Sequence, residues 1–487
     1  LLTCLLDKPL KKERLFAMLT KISACLFPGL TTKKNQQKFW ALGWAFFFIL
    51  GAYWIQRALK STVIFTIAFP EEFNWPHATA KTFYLRLKTY VPWVIMLLVM
   101  IYSWYVLKLS KKRLLCILWS IYAFVFFLYA VFFFFFMHYP DQIGWLPLAI
   151  MGCTNFLIVE SFGALAIPMF WALIDSITTT DSARKGFPLI YTLGHLGALI
   201  FTFLPYMQNK IYPLPSRNIL FALMLISSIA IVFAVFILKK MPTEYQDQHI
   251  QTSSTSYPVK KTEQHWLKKL LSFFFTGPLL LLKKPYLLGV FIVSTFQEII
   301  IQVIDIQINS TAVEIFGSKE SMQFLNLQLQ NGVLTQTLNL LLSALVLNSM
   351  LNCLKPGTIL KSVPLISAGL FSGLFLFLIF GPADLTIQLY VLCLALILIR
   401  VLMYSVNNPC KEIMWIPIDK KIKLQAKGWV DSVGSRLIKS SAATLNRTSS
   451  QFTIYSTCIL VLGIWASASV AVGNKNKKLL AKKEVIR

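Results

Sequence analysis

The stretch LLCILWSIYAFVFFLYAVFFFFFM, Leu114 to Met137, decides the fold class, because none of its 24 residues is charged. A helix needs about 20 apolar residues to cross the hydrocarbon core of a bilayer. A second such run, FWALGWAFFFILGAYWI, extends from Phe39 to Ile55. The chain of 487 residues is 56% hydrophobic and 14% charged, whereas soluble domains carry about 25% charged residues. We therefore expect an all-α integral membrane protein that crosses the bilayer many times.

Apolar runs of this kind recur and predict about twelve transmembrane helices in two sets of six. The first set is expected near 39–58, 90–107, 114–137, 146–174, 187–206 and 217–238. The second is expected near 286–308, 326–350, 358–380, 385–406, 428–449 and 453–472. The predicted organisation is a basic leader at 1–38, a six-helix bundle at 39–238, a polar linker at 239–285, a second bundle at 286–472 and a basic tail at 473–487.

Positive charge recurs on every second predicted loop. The leader, the loops near 108–113 and 184–185, the linker, the turn at 351–361, the segment 407–427 and the tail are basic. The intervening loops HYPDQIGWLP and GPADL contain no Lys or Arg, the loops near 210 and 450 contain few, and the loop at 59–89, with Lys60, Lys81, Arg86 and Lys88 beside Glu71 and Glu72, fits the pattern least well. Because Lys and Arg are retained on cytoplasmic loops during insertion, the pattern predicts that both termini are cytoplasmic.

Two segments carry the same aromatic, acidic and Lys-Gly-aromatic signals. FWALIDSITTTDSARKGF spans Phe170 to Phe187, and MWIPIDKKIKLQAKGW spans Met414 to Trp429. Each covers the end of the fourth predicted span of its half, the following loop and the start of the fifth. Unless this short match is a coincidence, it indicates a parallel repeat. Two six-helix halves related by an axis along the membrane normal describe the major-facilitator type of architecture, which binds its substrate between the halves.

Composition also limits the kind of site that the chain can hold. Its eight cysteines and five histidines are scattered, with no CxxC pair, so we expect no disulfide framework, no metal site and no bound cofactor. The Lys-Lys pairs of the linker are interpreted as topology signals that face anionic lipid, and we expect a monomer in the bilayer without a nucleic-acid partner. A net charge of +27 favours an anionic solute over a sugar or a hydrophobic drug.

Ionisable residues within the predicted spans are candidates for function, because a charge inside a bilayer is costly. Glu160 interrupts apolar sequence in the fourth span, and Lys60 closes the first. Glu298 and Asp305 lie two helical turns apart in the seventh span, on one face of the helix. The tenth and eleventh spans add Arg400, Asp431, Arg436 and Lys439.

Several of these charges have an alternative interpretation without a role in transport. Asp431 and Arg436 would then pair with neighbours and hold the cytoplasmic ends of helices together. Arg400 and Lys439 would extend their charged ends to the membrane interface. Glu298 would be solvated near the end of its span.

Two segments resemble the bacterial and plastidic nucleotide translocases. NPCKEIMWIPIDKKIKLQAKGWVDSVGSRLIKS, Asn408 to Ser440, is similar to the family's Asp-Pro-Thr-Lys-Glu, Ile-Pro-Leu-Asp and Asp-Val-x-Gly-x-Arg-x-Gly-Lys-Ser signature. ESFGALAIPMFWALIDSITTTDSARKGFPLIYTLGHLGALI, Glu160 to Ile200, resembles its fourth and fifth spans. The signature positions that match are Pro409, Lys411, Glu412, Ile416, Pro417, Asp419, Lys427, Asp431, Gly434, Arg436, Lys439 and Ser440.

The resemblance implies exchange of ATP for ADP, or transport of another nucleotide, across the inner membrane of an obligate intracellular bacterium. Charged residues of the family fall on Lys60, Glu160 and Lys411, and a seventh-span glutamate falls on Asp305 if one gap is allowed. This chain lacks the acid that follows the first-span lysine in the family, since it reads Arg57-Ala-Leu-Lys60-Ser-Thr62. The resemblance therefore supports the family's fold for this chain more than the family's ATP/ADP substrate pair. Transport of another nucleotide, or a proton-coupled mode of transport, stays open.

Our hypothesis is a nucleotide transporter that works by alternating access and is not an enzyme. Lys60, Lys411 and Arg436 are the predicted substrate-binding residues, and the nucleotide is the transported substrate rather than a cofactor. Glu160, Asp305 and Asp431 are the predicted charge-compensating or coupling residues. The rival hypotheses are a proton-coupled transporter of another organic anion and a paralogue that has lost transport. A membrane transferase would need a catalytic His-Asp pair on a large loop, and none is evident in the sequence.

Overall fold

The fold is taken from a computed structural model. It describes residues 33–69, 77–106, 109–139, 142–178, 180–212, 216–241, 277–316, 321–346, 356–415, 418–419, 422, 426–427 and 429–482. Within these ranges the chain is helical and contains no β-strand, which confirms the predicted all-α class. Most of the predicted leader and linker lies outside the described residues.

The first half contains six long helices. They are α1 (Lys33–Thr66), α2 (His77–Val106), α3 (Lys111–His138), α4 (Trp145–Ile177), α5 (Thr180–Ile211) and α6 (Ser216–Lys240).

The second half repeats this number of helices in its described residues, with more interruptions. They are α7 (Pro285–Phe316, with a turn at Phe296), α8 (Ser321–Leu341, extended by the π-helical turn Leu342–Val346), α9 (Pro356–Phe380), α10 (Leu385–Val401, continued by the π-helical turn Leu402–Asn407 and the helix Asn408–Met414), α11 (Ser435–Thr448, preceded by the π-helical turn Val430–Gly434) and α12 (Gln451–Lys482).

Among the described residues, 10 helices are long and apolar enough to cross a membrane. The two that fall short are α8 and α11, which carry polar sequences such as FLNLQLQNGVLTQTLN and SRLIKSSAATLNRT. A helix can stay in the bilayer with such residues if they face the interior of the bundle. The count of twelve crossings remains a prediction.

The helices that join the two halves are related by the predicted repeat. α2 packs on α11, and α5 packs on α8. Because α8 corresponds to α2 and α11 to α5, the second contact is the first with the halves exchanged. A pseudo-two-fold axis along the membrane normal has this consequence. The contacts therefore favour the interpretation of the sequence echo as a parallel repeat.

Close packing inside the first half depends on glycines. A Cβ at Gly197 of α5 would lie 2.2 Å from the backbone oxygen of Phe47 in α1, and one at Gly163 of α4 would lie 2.7 Å from the Tyr53 ring. Small residues let transmembrane helices approach closely in this way. The approach of α4 to α1 brings Glu160 within reach of Lys60.

The loop predicted at 59–89 is the largest error in the helix boundaries. α1 continues to Thr66 and α2 begins at His77, so Lys60 and Lys88 both lie within helices. The predicted first span ended where its apolar run meets the cations Arg57 and Lys60. The helix itself continues to Thr66, because Lys60 is paired with a carboxylate inside the bundle.

Candidate functional site

We use two directions along the bundle. The first-loop end is where α1 finishes and α2 begins, and the terminal end is where α1 begins and α12 finishes.

Glu160 of α4 lies between a cation of each half. Its carboxylate accepts a hydrogen bond from Lys60 Nζ of α1. On its other side, Arg436 Nη1 of α11 lies 3.9 Å from Glu160 Oε2. Lys60 and Arg436 are both buried, so the three charges face one another inside the bundle. The predicted residues Lys60, Glu160 and Arg436 thus come together, from α1, α4 and α11.

Asp305 of α7 holds three cations. Arg400 Nη2 of α10 lies 2.6 Å from one carboxylate oxygen, and Lys88 Nζ of α2 lies 3.1 Å from the other. Arg57 Nη2 of α1 approaches to 4.0 Å. Lys88 and Arg57 belong to the first half, so Asp305 connects the halves. Arg400 pairs with Asp305 inside the bundle and does not extend to the membrane interface.

The third acidic group is Glu298. It lies on the same face of α7 as Asp305, closer to the terminal end. Lys439 Nζ of α11 lies 3.4 Å from its carboxylate, and both side chains are 25% exposed. The positive charges that act on Glu298 come from Lys439, Arg436 and Lys411. Lys411, in the helix that continues α10, is half-buried and has no ion pair or hydrogen bond with any other described residue. Asp431 is half-buried in the π-helical turn before α11.

These ion pairs form three separate groups, around Glu160, Asp305 and Glu298, on helices that pack between the halves, and we name the three groups together with Lys411 the charge cluster. Among the described residues it contains seven cations and three carboxylates, and the cations remain in excess when Asp431, five residues before Arg436, is added. Its carboxylates are Glu160, Glu298 and Asp305, and its cations are Arg57, Lys60, Lys88, Arg400, Lys411, Arg436 and Lys439. An uncompensated charge is costly in a low-dielectric interior, so the excess favours binding of a multiply negative solute.

Aromatic rings support the cations of this cluster. Arg57 lies over the ring of Trp54 at 5.1 Å, and its Nη1 donates a hydrogen bond of 3.3 Å to Tyr404 of α10. Lys60 and Lys88 both lie near the ring of Phe156, at 5.4 and 6.0 Å. The negative face of an aromatic ring stabilises a cation without neutralising it, so the charge stays available to an anion.

The sequence prediction missed Arg57 and Lys88. Arg57 was placed in the first span but was read only as part of a motif, and Lys88 was assigned to a loop because α2 was started near 90. The spacing of Arg57 and Lys60, three residues apart on one helical face, was the signal that would have identified Arg57. Nothing in the sequence signals that Lys88 lies opposite Asp305.

Polar contacts between α2 and α7 continue from this cluster to the first-loop end. Lys88 bonds Asp305, Tyr84 Oη accepts a bond of 3.0 Å from Asn309, and Lys81 Nζ lies 2.6 Å from Glu314. All three contacts join the two halves. They hold the bundle together at this end, beside the charge cluster.

No cluster of His, Cys, Asp and Glu that would suit a metal ion occurs within the described residues. The described charges of the bundle interior are instead arranged as cations around isolated carboxylates.

Comparison with known sequences identifies relatives that move nucleotides. A sequence model of the family described as “TLC ATP/ADP transporter” matches residues 153–472. The chain is 26% identical over 369 residues to the chloroplastic ADP,ATP carrier protein 2 of Arabidopsis thaliana, covering 70% of this chain and 58% of that protein. For the chloroplastic ADP,ATP carrier protein 1 the identity is 26% over 316 residues, covering 62% and 49%. The chain thus spans about half the length of these curated relatives.

Solved structures with a similar fold are transporters. The xylose transporter XylE of E. coli, in an inward-open conformation, superposes with a TM-score of 0.54 at 12% identity, covering 91% of this chain and 95% of that one. The nucleoside transporter NupG superposes with a TM-score of 0.51 at 14% identity, covering 92% and 100%. At such identities the likeness shows the fold alone, and it agrees with the predicted major-facilitator type of architecture.

Proposed function

The chain belongs to the TLC ATP/ADP transporter family, and on that premise we propose that it is a secondary transporter that exchanges ATP for ADP, or takes up another nucleotide, by alternating access. The observation that carries this proposal is the excess of cations in the charge cluster, which lies between two six-helix halves. A polyphosphate carries several negative charges in a small volume, so it can compensate several of these cations at once. No chemical step on the nucleotide is part of the proposal.

The phosphates would bind by replacing carboxylates at cations that already face the interior. Lys60 and Arg436 approach Glu160 from opposite halves, and Lys411 adds a charge with no described partner. One anion held by these three groups would draw the halves together. A transporter that changes conformation only when such an anion is bound exchanges substrates one for one, because the unloaded form does not return.

The carboxylates would compensate the cations between transport events. Glu160 and Asp305 keep the buried cations paired, and we propose that they compete with the phosphates for them. Asp431 is proposed as a further charge-compensating group at the start of α11. Protons as a coupling ion are part of this proposal only if uptake depends on a pH gradient.

We place the protein in the inner membrane of a bacterium, as a multi-pass monomer with cytoplasmic termini. The support for this orientation is the alternation of basic and non-basic loops. The terminal end then faces the cytoplasm, and the contacts between α2 and α7 lie on the opposite side of the charge cluster.

A panel of labelled nucleotides tests the proposed function. Cells that express the protein should take up at least one of ATP, GTP, UTP and NAD, and preloading with unlabelled nucleotide should accelerate that uptake. An uncoupler that leaves uptake unchanged would indicate exchange, whereas an uncoupler that abolishes it would indicate proton coupling. If no nucleotide is taken up or competes, while another organic anion is, the rival transporter hypothesis replaces ours. A correctly inserted protein that moves neither would be the paralogue without transport.

The Lys81–Glu314 pair is expected to influence the rate of exchange modestly. Both side chains are well exposed, so the pair contributes about 0–1 kcal/mol, which corresponds to about fivefold at most. Lys81→Glu places two carboxylates opposite each other and should change the exchange rate by up to this factor, because it disfavours closure at the first-loop end. The double variant Lys81→Glu with Glu314→Lys restores the attraction and should restore the rate. Equal rates in the single and double variants would show that this pair does not act in closure.

A further inference from the structure

A second polar group lies between the halves, and it consists of amide, hydroxyl and imidazole side chains. We name it the amide cluster, and it contains His195 of α5, Gln336 and Asn339 of α8, Ser405 and Asn407 of α10 and Gln297 of α7. All six side chains are buried. The charge cluster accounts for none of them, and so many buried amides are unusual in a membrane protein.

The three side-chain hydrogen bonds within this cluster leave several of its polar atoms unused. His195 Nδ1 lies 2.7 Å from Gln336 Oε1, and Ser405 Oγ donates to Asn339 Oδ1 at 2.7 Å. Asn407 Nδ2 donates to Gln297 Oε1. These bonds tie α5 to α8, α8 to α10 and α10 to α7. They explain why the amides are tolerated between helices.

Gln297 Nε2 donates to the backbone oxygen of Ser294, whereas the other four unused polar atoms are buried and have no protein partner among the described residues. They are the Gln336 and Asn339 side-chain nitrogens, Asn407 Oδ1 and His195 Nε2. From the bonds already made, the two nitrogens on α8 are donors and Asn407 Oδ1 is an acceptor. Gln336 and Asn339 are three residues apart and therefore lie on one face of α8. If these side chains served only to join helices, we would expect their polar atoms to be paired with one another. The unpaired donors on α8 and the unpaired acceptor on α10 are not explained by that role.

The amide cluster lies among the groups of the charge cluster, because Ser405 and Asn407 fall between Arg400 and Lys411 on α10 and its continuation, and Gln297 is next to Glu298 on α7. Ser405 follows Arg400 by five residues on α10, a rise of about 7.5 Å along the helix. Its neighbour Tyr404 accepts the hydrogen bond from Arg57. On the other side, a Cβ at Gly332, one turn before Gln336, would lie 3.6 Å from the Trp54 ring that supports Arg57. A solute with its phosphates among the cations would thus have the amides within reach of its other groups.

We propose that the amide cluster is the subsite that recognises the base of the nucleotide and determines which nucleotide is carried. This inference rests on the proposed function and adds to it which part of the nucleotide the protein recognises. A nucleobase presents hydrogen-bond donors and acceptors along one planar edge, and side-chain amides match such an edge. A site that bonds these groups rejects a base with the wrong pattern, because its own buried polar atoms are then left unpaired.

The test measures base preference separately from phosphate binding. Uptake of the preferred labelled nucleotide is measured in Asn339→Leu and Gln336→Leu, with unlabelled ATP, GTP, CTP, UTP and inorganic tripolyphosphate as competitors. We expect the affinity for the preferred nucleotide to fall about tenfold and the differences among the four bases to shrink to a few-fold. Inhibition by tripolyphosphate should stay within a factor of two of its wild-type value, since it contacts cations only.

Two further variants keep the result interpretable. Thr335→Val is the matched control, because Thr335 is buried on the same helix but bonds only the backbone oxygen of Asn331, and it should keep the wild-type base preference. Ser405→Ala removes only the bond to Asn339 and should narrow the preference a few-fold even if the leucine variants do not fold. Base preferences that stay at wild-type ratios, or losses that are equal for every nucleotide and for tripolyphosphate, would overturn the inference. A wild-type protein that no nucleotide inhibits would instead overturn the proposed function on which it rests.

Discussion

Asp305→Asn is expected to abolish nucleotide transport and to lower the free energy of unfolding by about 3–5 kcal/mol. The carboxylate of Asp305 is the shared partner of Lys88, Arg400 and Arg57, at 3.1, 2.6 and 4.0 Å. Lys88 and Arg400 are each 5% exposed, so water does not replace the lost partner. Thermal unfolding of the detergent-solubilised protein measures the stability, and uptake of labelled nucleotide measures the function.

A second substitution separates the loss of the pair from the loss of the charge. Adding Arg400→Gln to Asp305→Asn removes one of the uncompensated cations, and we expect it to recover part of the stability but no transport. Glu314→Gln is the matched control, because this carboxylate lies on the same helix and is half exposed. It should stay within about 1 kcal/mol of the wild type, because an exposed ion pair contributes no more than this. Wild-type stability in Asp305→Asn would contradict the description of Asp305 as the centre of the cation group.

Lys411→Gln is expected to weaken nucleotide binding about 10–100-fold while leaving the stability of the protein unchanged. A hydrogen bond to a charged group contributes about 1.5–3 kcal/mol, which corresponds to this range of affinity. Lys411 has no ion pair among the described residues, so its neutralisation leaves no described carboxylate unpaired. The measurement is the concentration dependence of labelled uptake, compared with the unfolding temperature.

Lys60→Gln provides the comparison for this variant. It should weaken binding to a similar extent, but it also leaves Glu160 with Arg436 as its nearest described cation and should therefore destabilise the protein. Lys361→Gln is the control, because Lys361 lies on α9 and bonds Asn474 at an exposed position. Wild-type affinity in both Lys411→Gln and Lys60→Gln would remove these lysines from the substrate path.

The positions of the helices follow from local chemistry and were largely predictable. A run such as Leu114 to Met137 has one stable arrangement in a bilayer, because only a helix satisfies its own backbone hydrogen bonds there. The prediction failed where a helix carries charge. Arg57, Lys60 and Lys88 were taken as the edges of spans, although each lies inside a helix and is paired or stacked in the bundle.

Part of the candidate site was also visible in the sequence. Glu160 and Asp305 are acids inside apolar runs, and a charge in that position needs a partner whatever the fold. The partners themselves were not predictable, since Asp305 is separated from Lys88 by 217 residues along the chain. The unpaired state of Lys411 among the described residues is a tertiary property as well.

The sequence alone determined that this is a helical membrane protein, because hydropathy acts locally and needs no knowledge of contacts, and its loop charges and short repeat predicted two similar halves. Only the tertiary structure decided which charges meet, because a salt bridge depends on two side chains a few ångströms apart on helices that are distant in the chain. It likewise decided that the buried amides form a separate group beside the cations. A buried polar atom can be identified as lacking a hydrogen-bond partner only when the positions of the surrounding residues are known.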